Sequence, residues 1–204
     1  FFRMEPRQGG PVKYSTSVKI VYDHAYIYFG VFCKDTVGKK GIRVQDLRRD
    51  FVFSENDNFY ISIDAQNTKR FCLTFFTTPY GNQRDAQVFD DSLRDADWDA
   101  LWKVRTQIVD SGWYAEYAIP FSTIRYDKSH EQDSVRWGIT FSRLARREYE
   151  QTSFPPVPQS FTPQRMVYAA ELNGLKLPPP AVNFRVQPYI LYQNDKNTNE
   201  RSEQ

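Results

Sequence analysis

Two indole side chains set four positions apart, Trp98 and Trp102, follow closely on a run of planar polar groups, Asn82, Gln83 and Asp85, with Arg49 and Asp57 further upstream. That combination has a definite chemistry. Flat aromatic faces cover the apolar C–H patches of a pyranose ring. Guanidinium, amide and carboxylate groups bond its hydroxyls in pairs. Positions i and i+4 share a face on a strand and on a helix alike, so spacing does not settle the element. Most of these polar residues fall in segments that read as loops, where binding groups concentrate. The indoles also have a structural reading. Trp102 aligns with Val104 and Ile108, as a core residue would, and Trp113 and Trp137 read as core. Trp98 lies among Asp95, Asp97 and Asp99, and Tyr80 sits at a turn tip.

The carboxylates offer a second chemistry. Asp50, Asp57, Asp85, Asp97 and Asp99 carry hard oxygens of the kind Ca²⁺ takes, about six to eight at a time. No EF-hand spacing is present, and ion pairing to Arg48, Arg49 and Arg84 is the competing reading. Glu116 reads as a strand-face ion-pair partner rather than a general acid. Catalysis has little to stand on. No GxSxG, HExxH, Walker or dinucleotide glycine motif occurs. His24 and His130 are too few for a typical histidine metal site. Glycoside hydrolysis needs two placed carboxylates, and with 25 acidic residues some pair can always be nominated.

The elements that must position these groups are strands. Aromatic residues make up 16% of the chain, a bias toward sheets. The stretch 97–121 reads as a ribbon turning at Asp110-Ser111-Gly112. Trp102, Val104, Thr106 and Ile108 share one face, and Trp113, Ala115, Tyr117 and Ile119 share another. A lone ribbon cannot bury two such faces. Alternation predicts further strands over 18–22, 26–34, 58–64, 70–77 and 136–143, and a closing strand within 167–177. Residues 1–17 and 83–97 read as loop or polar connection, and 144–150 as a solvated strand end. The order is all strands, so the predicted class is an all-β antiparallel β-sandwich, jelly-roll-like.

Charge and composition exclude some partners. The net charge is +2, from 27 basic against 25 acidic side chains, with no basic block, so the footprint of a nucleic-acid binder is missing. Cys33 and Cys72 form no metal pattern and fall on faces that need not meet. Phe1 is not a natural start, and the chain reads as a fragment. Pro178-Pro179-Pro180 reads as a stiff spacer. A boundary placed there gives a sandwich over 1–177 and an extended segment over 178–204.

In order along the chain, YDHAYIYFGVFCKD, RRD at 48–50, END at 55–57 leading into FYISID, TPYGNQRD, WDALW, GWYAEYAIPF and WGITFSRLARREYE resemble the carbohydrate-binding module family 9-like domain. The resemblance covers about residues 11–177. More narrowly it is similar to the version preceding a β-barrel in outer-membrane proteins of Gram-negative bacteria. The step from Leu177 through the prolines to FRVQPYILY fits that version, with residues 184–193 opening the first strand of a truncated barrel. The resemblance implies a non-catalytic carbohydrate-binding domain on the periplasmic side of the outer membrane, linked to polysaccharide binding or breakdown. It also supports structural calcium, which modules of this family can carry. The alternative is an interaction or plug-like domain of an outer-membrane protein complex with its sugar site lost; a glycoside hydrolase comes third. The site expected is the loop face of residues 48–57, 79–85 and 95–98, with Arg49, Asp57, Asn82, Gln83, Asp85, Trp98 and Trp102 as ligand-binding residues.

Overall fold

The computed structural model describes residues 1–90, 93–126 and 135–178. The predicted extended segment and barrel strand at 178–204 fall almost wholly outside the described residues. Among the described residues all regular structure is strand or short 3-10 turn.

The central ribbon forms where alternation places it. Strands β8 (Lys103–Val109) and β9 (Gly112–Pro120) pair with Ile108 against Trp113 and Val104 against Tyr117. Gly112 closes the turn at φ +142°, where an added Cβ would stand 2.1 Å from the Cys33 carbonyl oxygen. Only glycine fits there. On the far side β9 pairs with β3 (Tyr26–Lys34), and β3 with β2 (Thr16–Tyr22). The resulting four-stranded sheet runs β2-β3-β9-β8. Its inward row buries Ile27, Phe29, Val31 and Cys33 beside Trp113, Ala115, Tyr117 and Ile119.

The covering sheet is larger. It runs β1 (Phe2–Glu5), β11 (Glu150–Phe154), β10 (Arg136–Ala145), β4 (Asn58–Asp64), β5 (Phe71–Thr77), β6 (Gln83–Phe89), β7 (Leu93–Asp95). β12 (Ala170–Asn173) pairs with the first half of β10, on the edge that β11 occupies further along. All pairings are antiparallel. Phe59, Ile61, Ile63, Leu73, Phe75, Trp137, Ile139 and Phe141 face the smaller sheet in one continuous core. The Tyr117 hydroxyl crosses that core and donates to the Phe59 carbonyl at 2.9 Å.

Where the larger sheet departs from expectation, the reason is its second face. Every residue of β4 is buried, because chain also packs on the outside. Phe51 covers Tyr60 and Phe76 there, and Met166 covers Cys72 and Val88. The proline-rich segment is pinned by Thr140 Oγ1 donating to the Pro163 carbonyl at 2.7 Å. The two cysteines are not bonded to each other and lie on opposite sides of that sheet, Cys33 between the sheets and Cys72 outside. Burial pushes the Cys33 thiol up to about 11. Strands β1, β6, β7 and β11 occupy stretches that read as loop or strand end. In β6 the row facing inward is Gln83, Asp85 and Gln87, opposite Thr77, Phe75 and Leu73, so no apolar alternation marks it.

Candidate functional site

Two polar clusters lie on opposite faces of the larger sheet. The first is the predicted loop face. The structure joins only part of that face: Arg49 meets Gln83, Asp85 and Asp99, while Phe53, Ser54 and Asp57 lie elsewhere and Trp98 packs on Phe75. Asp85 shares the inward face of Phe75 and is 1% exposed. Its carboxylate accepts from Trp102 Nε1 at 2.7 Å, Arg49 Nη2 at 2.7 Å and the Ala100 amide at 3.3 Å. Burial pushes its pKa up, against the lowering by Trp102, Arg49 and Ala100. Arg49 also donates to Asp99 and Gln83, and Gln83 Nε2 donates to the Trp102 carbonyl. Asn82 donates to the Leu47 carbonyl and accepts from Thr78 Oγ1.

The indoles are placed accordingly. Trp102 is core rather than platform: it is 6% exposed and stacks on Tyr117 with ring centroids 5.6 Å apart and planes 7° apart. Its aligned neighbours already marked that outcome. Trp98 is half-buried, edge-on to Phe75. Asp57 stands apart from Arg49. It is 6% exposed, and its two oxygens accept from the Arg43 amide at 2.7 Å and the Arg146 amide at 2.6 Å, stapling the long connection to the end of β10. Burial pushes Asp57 above the usual carboxylate range despite those bonds.

Three of the acidic residues named for calcium have other partners. Asp85 and Asp99 converge on Arg49, and Asp57 is occupied by backbone amides. Among the described residues no group of three or more acidic, histidine or cysteine side chains is placed to hold a metal.

The second cluster is a pocket of about 530 Å³ on the outer face of the larger sheet, within the usual range for small-ligand sites. β4 supplies Asn58 and Tyr60. The long connection supplies Phe53 and Ser54. The N-terminal strand and its exit supply Glu5 and Pro6. The end of β10, the turn after it and β11 supply Leu144, Arg146, Tyr149 and Gln151. Tyr149 is held out at φ +51° and is 64% exposed. The Arg146 guanidinium lies over its ring at 4.3 Å and donates to Glu55 at 3.1 Å. Gln151 Nε2 donates to the Tyr60 hydroxyl at 3.3 Å.

Asn58 is the most constrained member. Its Nδ2 donates to the carbonyls of Phe53 and Asn56, at 2.7 and 2.8 Å. That fixes the amide, and its buried Oδ1 has no partner among the described residues. Arg146 Nε is in the same state. Unpaired buried polar atoms are uncommon and cost stability. Around this pocket they stand beside three aromatic rings. Sequence reasoning missed it for a local reason. Asn58 and Tyr60 lie on the face of β4 opposite Phe59, Ile61 and Ile63, and Tyr149 sits in a turn that read as the solvated end of a strand. The signal available was Tyr149 itself, an aromatic among charged residues between two alternating stretches.

The larger sheet and its smaller partner define an all-β antiparallel sandwich that carries this pocket on its outer face. The sequence model of the carbohydrate family 9 binding domain-like family matches residues 7–145, and the chain belongs to that family. A comparison with curated protein sequences finds no match. Among solved structures, the chain is similar to a candidate carbohydrate-binding protein from Bacteroides uniformis, at 11% identity and a TM-score of 0.61, over 80% of this chain and 79% of that one. It is also similar to a family 9 carbohydrate-binding module from Caldicellulosiruptor kristjanssonii. In complex with glucose, that structure gives 13% identity and a TM-score of 0.50 over 85% and 83% of the chains. In complex with cellotriose it gives 13% and 0.48 over 88% and 84%. At these identities the likeness is one of fold.

Proposed function

We propose that this domain is a non-catalytic sugar-binding module whose ligand enters the pocket on the outer face of the larger sheet. The observation that carries the reading is the pairing of Phe53, Tyr60 and Tyr149 with Asn58, Arg146 and Gln151 around one pocket of about 530 Å³. Aromatic faces and planar polar groups are the two elements a pyranose needs, and the pocket holds both. Its lining contains one carboxylate, Glu5, which accepts from Gln159 Nε2 at 2.9 Å. Glycoside hydrolysis uses two across the scissile bond, so the lining supports binding and not cleavage. The related module that holds glucose makes neutral gluco-oligosaccharides the first probes.

Stacking with two or three hydroxyl bonds gives weak binding, on the order of 10 μM to 1 mM. A calorimetric screen of neutral oligosaccharides against the full chain tests this. Binding that Gln151→Ala and Tyr149→Asn both weaken supports the pocket. Binding indifferent to both refutes it.

The setting at the periplasmic side of an outer membrane, in service of polysaccharide capture, belongs to the same proposal. It is supported by the triple proline and the renewed alternation of FRVQPYILYQ beyond it. Fractionation of cells carrying the natural gene tests it, with the protein expected in the outer-membrane fraction and its sandwich accessible to protease only after the membrane is opened.

A further inference from the structure

We propose that the outer face of the four-stranded sheet is a second glycan-binding surface, suited to an acidic polysaccharide laid along β3. The cross-strand register fixes which side chains share that face. One row holds Val21, Tyr28, Ala118 and Lys103. The next holds Lys19, Gly30, Glu116 and Arg105, and the third Ser17, Phe32, Tyr114 and Gln107.

The rows differ in a way that makes a track. Phe32 and Tyr114 stack at 4.5 Å with planes 29° apart, and Tyr114 is 44% exposed. Tyr26 and Tyr28 stack at 5.8 Å, and the Tyr28 hydroxyl is tied to Asp23 at 2.8 Å. Between these two aromatic stations lies Gly30, where an added Cβ would meet nothing within 4 Å. Tyr28 and Phe32 are four residues apart on one strand, a separation of about 13 Å. The face therefore offers two ring platforms, a bare glycine floor between them and charged side chains beside that floor.

The charge selects the occupant. Outward positions of the four strands carry Lys19, Lys34, Lys103 and Arg105 against one carboxylate, Glu116. Among the described residues none of these five forms an ion pair, so Glu116 is not the strand-face partner its sequence position suggests. Lysine on the edge strands β2 and β8 also deters edge-to-edge pairing. That role needs no stacked aromatics on the central strands β3 and β9. Aromatic platforms with unpaired cations match a polymer that presents flat C–H faces and carboxylates in one repeat, which is a uronate chain. The surface is on the other sheet from the pocket, so each site stands or fails separately.

The test is biolayer interferometry of the full chain on immobilised polygalacturonate, with a neutral galactan surface as reference. Binding to polygalacturonate alone is expected. It should weaken severalfold between about 50 and about 300 mM salt, as exposed charge pairs are screened. Lys19→Gln with Arg105→Gln, and separately Tyr114→Ala, should each weaken it by about fivefold to tenfold, while Tyr149→Asn leaves it unchanged. The charge variant touches only exposed side chains and keeps the test valid if Tyr114→Ala fails to fold. Absence of binding overturns the proposal, and so does binding that a folded Tyr114→Ala retains in full, which marks simple ion exchange. Loss with Tyr149→Asn moves the ligand to the pocket and equally overturns it. Self-association that Tyr114→Ala abolishes makes the face an interface between copies and overturns it too.

Discussion

Replacing Asp85 with Ala should destabilise the domain strongly and leave sugar binding by the folded protein intact. The carboxylate is 1% exposed and serves Trp102 Nε1, Arg49 Nη2 and the Ala100 amide. Its removal strands two buried donors, on Trp102 and Ala100, at about 1–3 kcal/mol each. Arg49 is 40% exposed and rehydrates, so its pair contributes about 1 kcal/mol or less. Release of the burial penalty on the carboxylate offsets part of this. The net is about 3 kcal/mol, a large share of the roughly 5–15 kcal/mol that holds a domain together. Asp85→Asn keeps an acceptor for Trp102 and should cost about 1 kcal/mol. Urea unfolding followed by tryptophan fluorescence measures both, and the indole on Asp85 is one of the reporters. A loss below about 1 kcal/mol for Asp85→Ala, together with lost sugar binding, would refute the reasoning and make the loop face the ligand site.

Tyr149→Asn should weaken sugar binding by about tenfold while moving the thermal midpoint by less than about 3 °C, since asparagine suits the left-handed conformation that Tyr149 holds at φ +51°. Differential scanning fluorimetry and calorimetry check the two halves. Gly112→Ala should cost more than about 3 kcal/mol in urea unfolding, because its Cβ would meet the Cys33 carbonyl oxygen. Asp57 has a folded pKa above its ordinary one, so it contributes stability below the ordinary pKa and loses it as pH rises through the folded pKa. Wild type should therefore gain on Asp57→Asn as pH falls through the carboxylate range, and urea midpoints across that range would show the opposite slope if the amide bonds outweighed burial.

The sandwich was legible in the sequence because its inner rows alternate cleanly, as Ile27, Phe29, Val31 and Cys33 do. The outer layer was not. Tyr60, Phe76 and Cys72 lie opposite the core row on β4 and β5, where a reader expects solvent, and the chain covering them comes from connections with no periodicity. Strand β6 was hidden by its polar inward row, and β11 by following a tight turn directly after β10. The convergence of Arg49, Gln83 and Asp85 was visible from composition and motif order. That Asp85 turns inward onto Trp102 was not, because it depends on the register of β6 against Phe75. The pocket assembles from four separate stretches of chain, and no local pattern links Glu5 to Asn58 or Tyr149.

The most direct measurement is a backbone amide NMR titration of the full chain with a neutral gluco-oligosaccharide. Shifts are expected to concentrate at Asn58, Tyr60, Tyr149 and Gln151, saturating together, and to need about tenfold more sugar in Tyr149→Asn. Shifts concentrated instead at Arg49, Asn82 and Trp98, or no saturable shift with any neutral oligosaccharide, would contradict the pocket as the sugar site.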